Sequence, residues 1–132
     1  MVNTFRFAIL SLLAFSLLWG VNGFAEEEGK GLSAMHQMAI IMHRLKHYPS
    51  PQGKKTLQAI IDNKKTTANE RTLATAMMNL KHHVNPADVD GLKTLIASQN
   101  ATDDEKALAK IILNLNHRPT SEDKKRLDAM MK

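Results

Sequence analysis

Cysteine is absent from this chain of 132 residues, and only 5% of the residues are aromatic. Without cysteine the chain has no disulfide, no thiolate ligand and no site for a cysteine-linked lipid, so packing alone must stabilise its fold. Glycine is also scarce, with six residues, and neither a glycine-rich phosphate loop nor a G-x-S-x-G nucleophile motif is present. We therefore expect a protein that is not an enzyme.

The first 25 residues form a distinct apolar segment. Residues 7–19 are almost uninterruptedly hydrophobic after the basic Arg6, and small residues stand at Gly23 and Ala25. This pattern is typical of a signal peptide, and it predicts cleavage after Ala25 and a periplasmic or secreted mature protein. The alternative is that the segment is retained as a membrane anchor, which would be the only predicted contact with a membrane.

The predicted mature chain is mildly basic. Removing Arg6 leaves 17 basic residues (18 minus 1) against 13 acidic ones, a formal net charge of +4. This balance slightly favours anionic partners, but the basic residues do not form the continuous face that a nucleic-acid binder requires. We expect no nucleic-acid partner.

A period of 35 residues runs through the mature sequence. A fixed period is the signature of repeat architectures, in which each unit is one supersecondary element. The sequence therefore predicts three units, at about 33–66, 67–101 and 102–132, after a polar linker at 26–32. The apolar residues that recur at this spacing include Ala39, Ala74 and Ala109; Met42, Met77 and Ile112; Leu45, Leu80 and Leu115; and Leu57, Leu92 and Leu127.

Each unit is predicted to be a pair of antiparallel helices. Apolar residues three and four apart are typical of amphipathic helices, Thr67 and Thr102 begin T-x-x-E capping boxes, and proline separates the paired helices. The predicted helices span about 33–47, 51–62, 67–83, 86–98, 102–117 and 120–131. The predicted fold is all-α, three tandem helical hairpins in a solenoid-like stack. This architecture is similar to that of tetratricopeptide arrays, although their aromatic and small-residue signature is absent.

Three histidines, His47, His82 and His117, share one position of the period. Equivalent residues on stacked helices lie about 8 to 10 Å apart, whereas the donor atoms of one metal site lie about 2 Å from the ion. We therefore expect these rings not to converge on one ion. A structural role is the simpler expectation, in which each ring ends the first helix of its unit and binds the last free carbonyls.

The first predicted helix carries a candidate metal site. His43 and His47 stand at i and i+4 on one helix face, with His36 two turns earlier and Met35 beside it. Two imidazoles at this spacing can chelate one Cu²⁺, Zn²⁺ or Ni²⁺ ion, and a methionine thioether suits copper. The predicted metal ligands are therefore His36, His43, His47 and Met35. The alternative is that His43 is a half-buried structural residue and that the methionines of this helix pack in the core.

The function predicted from the sequence is a non-enzymatic interaction module. Helical repeats bind a protein or peptide partner through extended grooves, here expected along the first helices of the units. The alternative is a small exported metal-binding protein that uses the ligands of the first helix. Because an open stack leaves apolar surface on its end helices, we also expect a homodimer through the terminal helices.

Overall fold

A computed structural model describes residues 31–132 of the chain. These residues form six α-helices and no strand, which confirms the predicted all-α class. The helices are α1 (Ala34–His43), α2 (Pro51–Asp62), α3 (Ala68–Met78), α4 (Pro86–Ala97), α5 (Asp103–Asn114) and α6 (Ser121–Met130). None of these six helices is long and apolar enough to cross a membrane. The predicted signal peptide and most of the predicted linker lie outside the described residues.

Capping boxes begin three of the helices. In each, a threonine hydroxyl accepts a backbone N–H three residues later, and a carboxylate at that later position accepts the threonine N–H. The two predicted boxes are confirmed, and a third begins α6 with aspartate in place of glutamate. The pairs are Thr67 with Glu70, Thr102 with Glu105, and Thr120 with Asp123.

Helices α1, α3 and α5 end earlier than predicted, at His43, Met78 and Asn114 instead of 47, 83 and 117. Soon after each end a buried leucine continues the apolar spacing of the helix although it lies in the loop, and its N–H donates to a carbonyl three residues back. A leucine that anchors a loop has the same spacing as one on the helix, so periodicity extends the helix too far. These leucines are Leu45, Leu80 and Leu115.

The helices form a closed ring. Helices α1, α3 and α5 contact one another at the centre, while α2 packs on α3, α4 packs on α5, and α6 packs on α1. This last contact differs from the predicted open stack, in which the first and last helices would not contact each other. The surface on which we expected a homodimer to form is therefore partly covered within the chain itself.

One continuous core lies between the central and outer helices. Each central helix contributes a wholly buried residue from the predicted apolar stripe, namely Met38, Leu73 and Leu108, and each outer helix contributes a leucine. The outer leucines, Leu57, Leu92 and Leu127, have no exposed surface. Because α6 buries its leucine as fully as α2 and α4 do, the ring has no exposed end at this layer.

Candidate metal centre

The loops after α1, α3 and α5 lie together at one end of the ring. Each loop carries a histidine two residues after its buried leucine. Two residues after the histidine the chain is again buried or half-buried, at Pro49, Val84 and Pro119. The loops are thus held against the core on both sides of the histidine, whose own side chain stays exposed. The three histidines are His47, His82 and His117.

Backbone hydrogen bonds join the three loops. The N–H of His82 donates to the carbonyl of His47, and the N–H of His117 donates to the carbonyl of His82, each over 2.7 Å. Both bonds begin and end at the histidines themselves. The distance between neighbouring histidines is therefore set by the main chain before their side chains interact.

His82 and His117 are the only non-glycine residues with positive φ among residues 31–132, at 66° and 64°. Around each histidine the chain makes a three-residue turn: His83 N–H donates to the Lys81 carbonyl, and Arg118 N–H donates to the Asn116 carbonyl, both over 2.7 Å. Such backbone conformations cost about 1–3 kcal/mol each for residues with a Cβ, and they cluster at functional sites. Glycine would adopt this φ without strain, so a histidine at both positions points to a role for the imidazole itself.

The three imidazole rings converge on one point. Their centroids lie 5.0 Å (His47 to His82), 4.9 Å (His82 to His117) and 5.3 Å (His47 to His117) apart. The Nδ1 atom of His117 lies 2.9 Å from Nδ1 of His82 and 3.2 Å from Nδ1 of His47. The expectation that these rings stay apart is wrong, because they project from loops that meet at the centre of a closed ring and not from the sides of stacked helices.

The two contacts of His117 Nδ1 cannot both be linear hydrogen bonds. An imidazole nitrogen has either one hydrogen or one in-plane lone pair, so it donates once or accepts once. When only the three rings are present, the two short nitrogen–nitrogen contacts therefore share at best one hydrogen. A cation between them removes the conflict, because all three nitrogens can then direct lone pairs at it. Nitrogens bound to one tetrahedral metal ion at about 2.0–2.1 Å lie about 3.3 Å apart, close to the spacing seen here.

A fourth histidine supports the cluster from outside. The Nδ1 atom of His83 lies 3.1 Å from the Leu115 carbonyl, and its ring meets the ring of His117 at a centroid distance of 5.3 Å. With Nδ1 bonded to a main-chain oxygen, His83 is fixed beside His117 and not turned into the centre. Among residues 31–132, His47, His82 and His117 form the one group of three or more histidine or acidic side chains close enough to share a metal ion.

Electrostatics keep His117 in the form that binds a metal. Desolvation, followed by the positive charges that His82, His47 and His83 acquire on protonation, lowers the pKa of His117 below its ordinary value. A lowered pKa means that the ring stays neutral further into the acidic range. Because metals bind the neutral imidazole, this shift favours coordination over protonation.

Of the four ligands predicted from the sequence, only His47 belongs to this cluster. The predicted helical pair with His43 is not formed, because α1 ends at His43 and His47 lies in the following loop. His43 Nε2 instead lies 3.3 Å from a carboxylate oxygen of Asp128, which links α1 to α6. Met35 packs against the core, and His36 is half-buried in the first turn of α1, where its N–H donates to a serine hydroxyl.

His82 and His117 are the members of the cluster that the sequence analysis did not predict as metal ligands. The signal was present, since both share one position of the 35-residue period with His47. Its meaning depended on the packing of α6 against α1 and on the inward course of the loops, and neither can be read from a repeat pattern.

The histidine cluster is not assigned by similarity. Comparison of the chain with protein-family models, with curated proteins and with solved structures finds no match. The all-helical ring and its three converging imidazoles are therefore the basis for assigning a function.

Proposed function

We propose that this chain is a metal-binding protein that holds one divalent transition-metal ion through His47, His82 and His117. The observation that carries the proposal is the convergence of three Nδ1 atoms, two pairs of which lie 2.9 and 3.2 Å apart. Without a cation the two contacts share at best one hydrogen, and their lengths are close to those of a tetrahedral site. The strained backbone at two of the three proposed ligands also supports the proposal, because it gives their imidazoles a particular direction.

Zinc suits the proposed site best, with copper and nickel as competitors. Imidazole nitrogen binds all three ions, and the triangle of nitrogens is the base of the tetrahedron that zinc prefers. Copper(II) binds such donors more tightly than zinc or nickel, so the ion carried in the cell depends on which one is available. No methionine belongs to the proposed ligand set, which makes this site different from the one predicted on α1.

The proposed site agrees with a tandem repeat. We interpret residues 33–132 as three helical hairpins related by 35 residues, each of which supplies one histidine from the same position. The recurrent packing of an outer helix on the next central helix, with α6 on α1 as the third instance, supports this interpretation. The metal site would then require all three units, and a single hairpin would supply one ligand.

We further propose that the protein acts outside the cytoplasm, without enzymatic activity, as a carrier or store of metal. The support is the signal-peptide pattern of residues 1–25, with cleavage after Ala25. A periplasmic or secreted protein without cysteine avoids oxidation of thiolate ligands, and histidine ligands suit that environment.

Metal titration of the purified protein tests the proposed function. We expect one Zn²⁺ per chain with a Kd below micromolar, measured by calorimetry and by competition with a chromophoric chelator. His82→Ala and His117→Ala should each weaken binding by roughly 100-fold, because each removes one of three ligands. His36→Ala is the matched control, since His36 lies outside the cluster. Binding that is equally tight in the two ligand variants would contradict the proposal.

A second candidate function is binding of a protein or peptide. A groove beside α1 and the start of α2 is lined by apolar residues including Ile40 and Ile41, and the rim residues Leu32 and Tyr48 are 37% and 59% exposed. Two basic residues and no acidic residue line this groove. We propose an acidic segment with apolar side chains as the partner, testable by fluorescence titration of a labelled peptide with Tyr48→Ala as the binding-deficient variant. This groove differs in position from the predicted one along the central helices, which contact one another.

A further inference from the structure

We infer that the open coordination position of the histidine site binds an oxyanion, with one oxygen on the metal and the others held by Lys46 and Arg118. This inference rests on the proposed function, because it needs a metal ion on the three histidines. It adds a ligand class, carboxylate or phosphate, and a binding pocket beside the metal.

The three-histidine group leaves the metal incompletely coordinated. Structural zinc sites are closed by four protein ligands, whereas sites with three protein ligands keep a position for water or an exogenous ligand. The nearest further imidazole, His83, has its Nδ1 atom at the Leu115 carbonyl. No carboxylate belongs to the cluster within the part of the chain that the structure describes. Among residues 31–132 no further side chain occupies the fourth position, which is therefore open to a ligand from solution.

The charge of the surrounding loops selects an anion for that position. Each histidine has a basic neighbour in sequence, and residues 46–48, 81–83 and 116–118 contain no acidic side chain. Neutral imidazoles do not offset the two positive charges of the metal, so the bound ion would lie in an uncompensated positive field. An anionic ligand relieves this field, whereas a neutral ligand, including water that keeps both protons, does not. The basic neighbours are Lys46, Lys81 and Arg118.

The pocket for the anion lies between the first and third loops. Main-chain bonds join His47 to His82 and His82 to His117, but among the described residues no such bond joins His117 back to His47. A pocket occupies this interval and is lined by the two histidines together with Lys46, Asn116 and Arg118. Two of the three basic neighbours therefore line a pocket whose walls also include two of the proposed metal ligands.

The donors of this pocket match an oxyanion better than a single-atom anion. The guanidinium of Arg118 presents paired N–H groups that fit two oxygens of a carboxylate or phosphate, and Lys46 supplies a third charged donor. The side-chain amide of Asn116 can add a further N–H. Carboxylate and phosphate share this geometry, and titration with each separates them.

Cobalt(II) substitution makes the open position visible, because d–d absorption of Co²⁺ responds to a change of ligand. The purified protein is loaded with Co²⁺ and titrated separately with acetate, with inorganic phosphate and with azide, which offers a single terminal nitrogen. The test variant is Lys46→Gln with Arg118→Gln. The matched control is Lys64→Gln with Lys65→Gln, which removes the same charge from the turn between α2 and α3.

We expect acetate or phosphate to change the Co²⁺ spectrum saturably, with binding at least tenfold weaker in the Lys46/Arg118 variant and unchanged in the control. Azide binding should differ much less between the two variants. Co²⁺ affinity itself should not fall when two positive charges are removed, so a lost oxyanion response would not reflect lost metal.

A Co²⁺ spectrum that responds to neither oxyanion, or equally in both variants, overturns the inference while leaving the metal site intact. Failure of the unmodified protein to bind Co²⁺, Zn²⁺ or Cu²⁺ overturns the proposed function and this inference with it. The stronger of the two oxyanion responses identifies whether the pocket takes a carboxylate or a phosphate group.

Discussion

His117 is joined to His82 twice, by a main-chain hydrogen bond of 2.7 Å and by a contact of 2.9 Å between their Nδ1 atoms. The main-chain bond fixes the separation of the two loops, and the positive φ at both residues directs the rings inward. The nitrogen atoms are therefore held close together by the fold and not by their own attraction. A ligand set arranged in this way loses little conformational entropy when a metal binds.

Glycine substitution at His82 should separate stability from metal binding. At φ 66° an L-residue is strained and glycine is not, so we expect His82→Gly to leave the free energy of unfolding unchanged or raise it by about 0.5–1 kcal/mol. The same variant should lose metal binding. Urea denaturation and zinc titration of the one sample measure both effects.

The matched control for that experiment is His47→Gly, since His47 is not among the residues with positive φ. Here glycine relieves no strain and only adds conformational freedom to the unfolded chain, so stability should fall by roughly 0.5–1 kcal/mol. Equal changes in the free energy of unfolding for His82→Gly and His47→Gly would contradict a role for backbone strain at His82.

Zinc should stabilise the fold by joining the loops that follow α1, α3 and α5. At a free zinc concentration of about 100 times the Kd, binding to the folded state alone raises the free energy of unfolding by about 2.7 kcal/mol. Differential scanning calorimetry should show a higher Tm that a chelator reverses. The gain should disappear in His117→Ala and persist in His36→Ala, and a Tm that zinc leaves unchanged would argue against coordination.

The stability of the metal-free protein should decrease in mild acid. His117 has a lowered pKa in the folded state, so below its ordinary value of 6.5 the unfolded chain takes up a proton that the folded chain resists. The contribution of His117 to stability is therefore fully present above its ordinary pKa of 6.5, declines as the pH falls through 6.5, and levels off below the folded-state pKa. Denaturation midpoints from pH 8 to pH 5, with His117→Gln as the variant that removes this contribution, provide the measurement. If the stability of His117→Gln declines as steeply with falling pH, groups other than His117 cause the decline.

The fold was predictable where local chemistry decides it, and the site was not. Thr67 with Glu70 and Thr102 with Glu105 mark two helix starts by hydrogen bonds that depend on a few neighbouring residues. The position of His117 beside His47, 70 residues earlier, depends on the ring closing between α6 and α1. That closure comes from long-range packing, for which the period of the apolar residues has no separate signal.

Because the ring is closed, shortening the buried leucine of α6 should lower the free energy of unfolding as much as shortening the buried leucine of α2 or α4. Leu57, Leu92 and Leu127 are all wholly buried, so replacing any one by alanine should lower the free energy of unfolding by about 2–5 kcal/mol. In an open stack α6 would lack its contact with α1, and Leu127→Ala would cost much less. Chemical denaturation compares the three variants, and Lys125→Ala, which changes a largely exposed residue of α6, serves as the control.

Because α6 also holds α1 through His43 and Asp128, Leu127→Ala should weaken zinc binding although the residue is remote in sequence from His47 and His82. Unchanged zinc affinity in a folded Leu127→Ala protein would mean that the loops assemble the site without the help of closure.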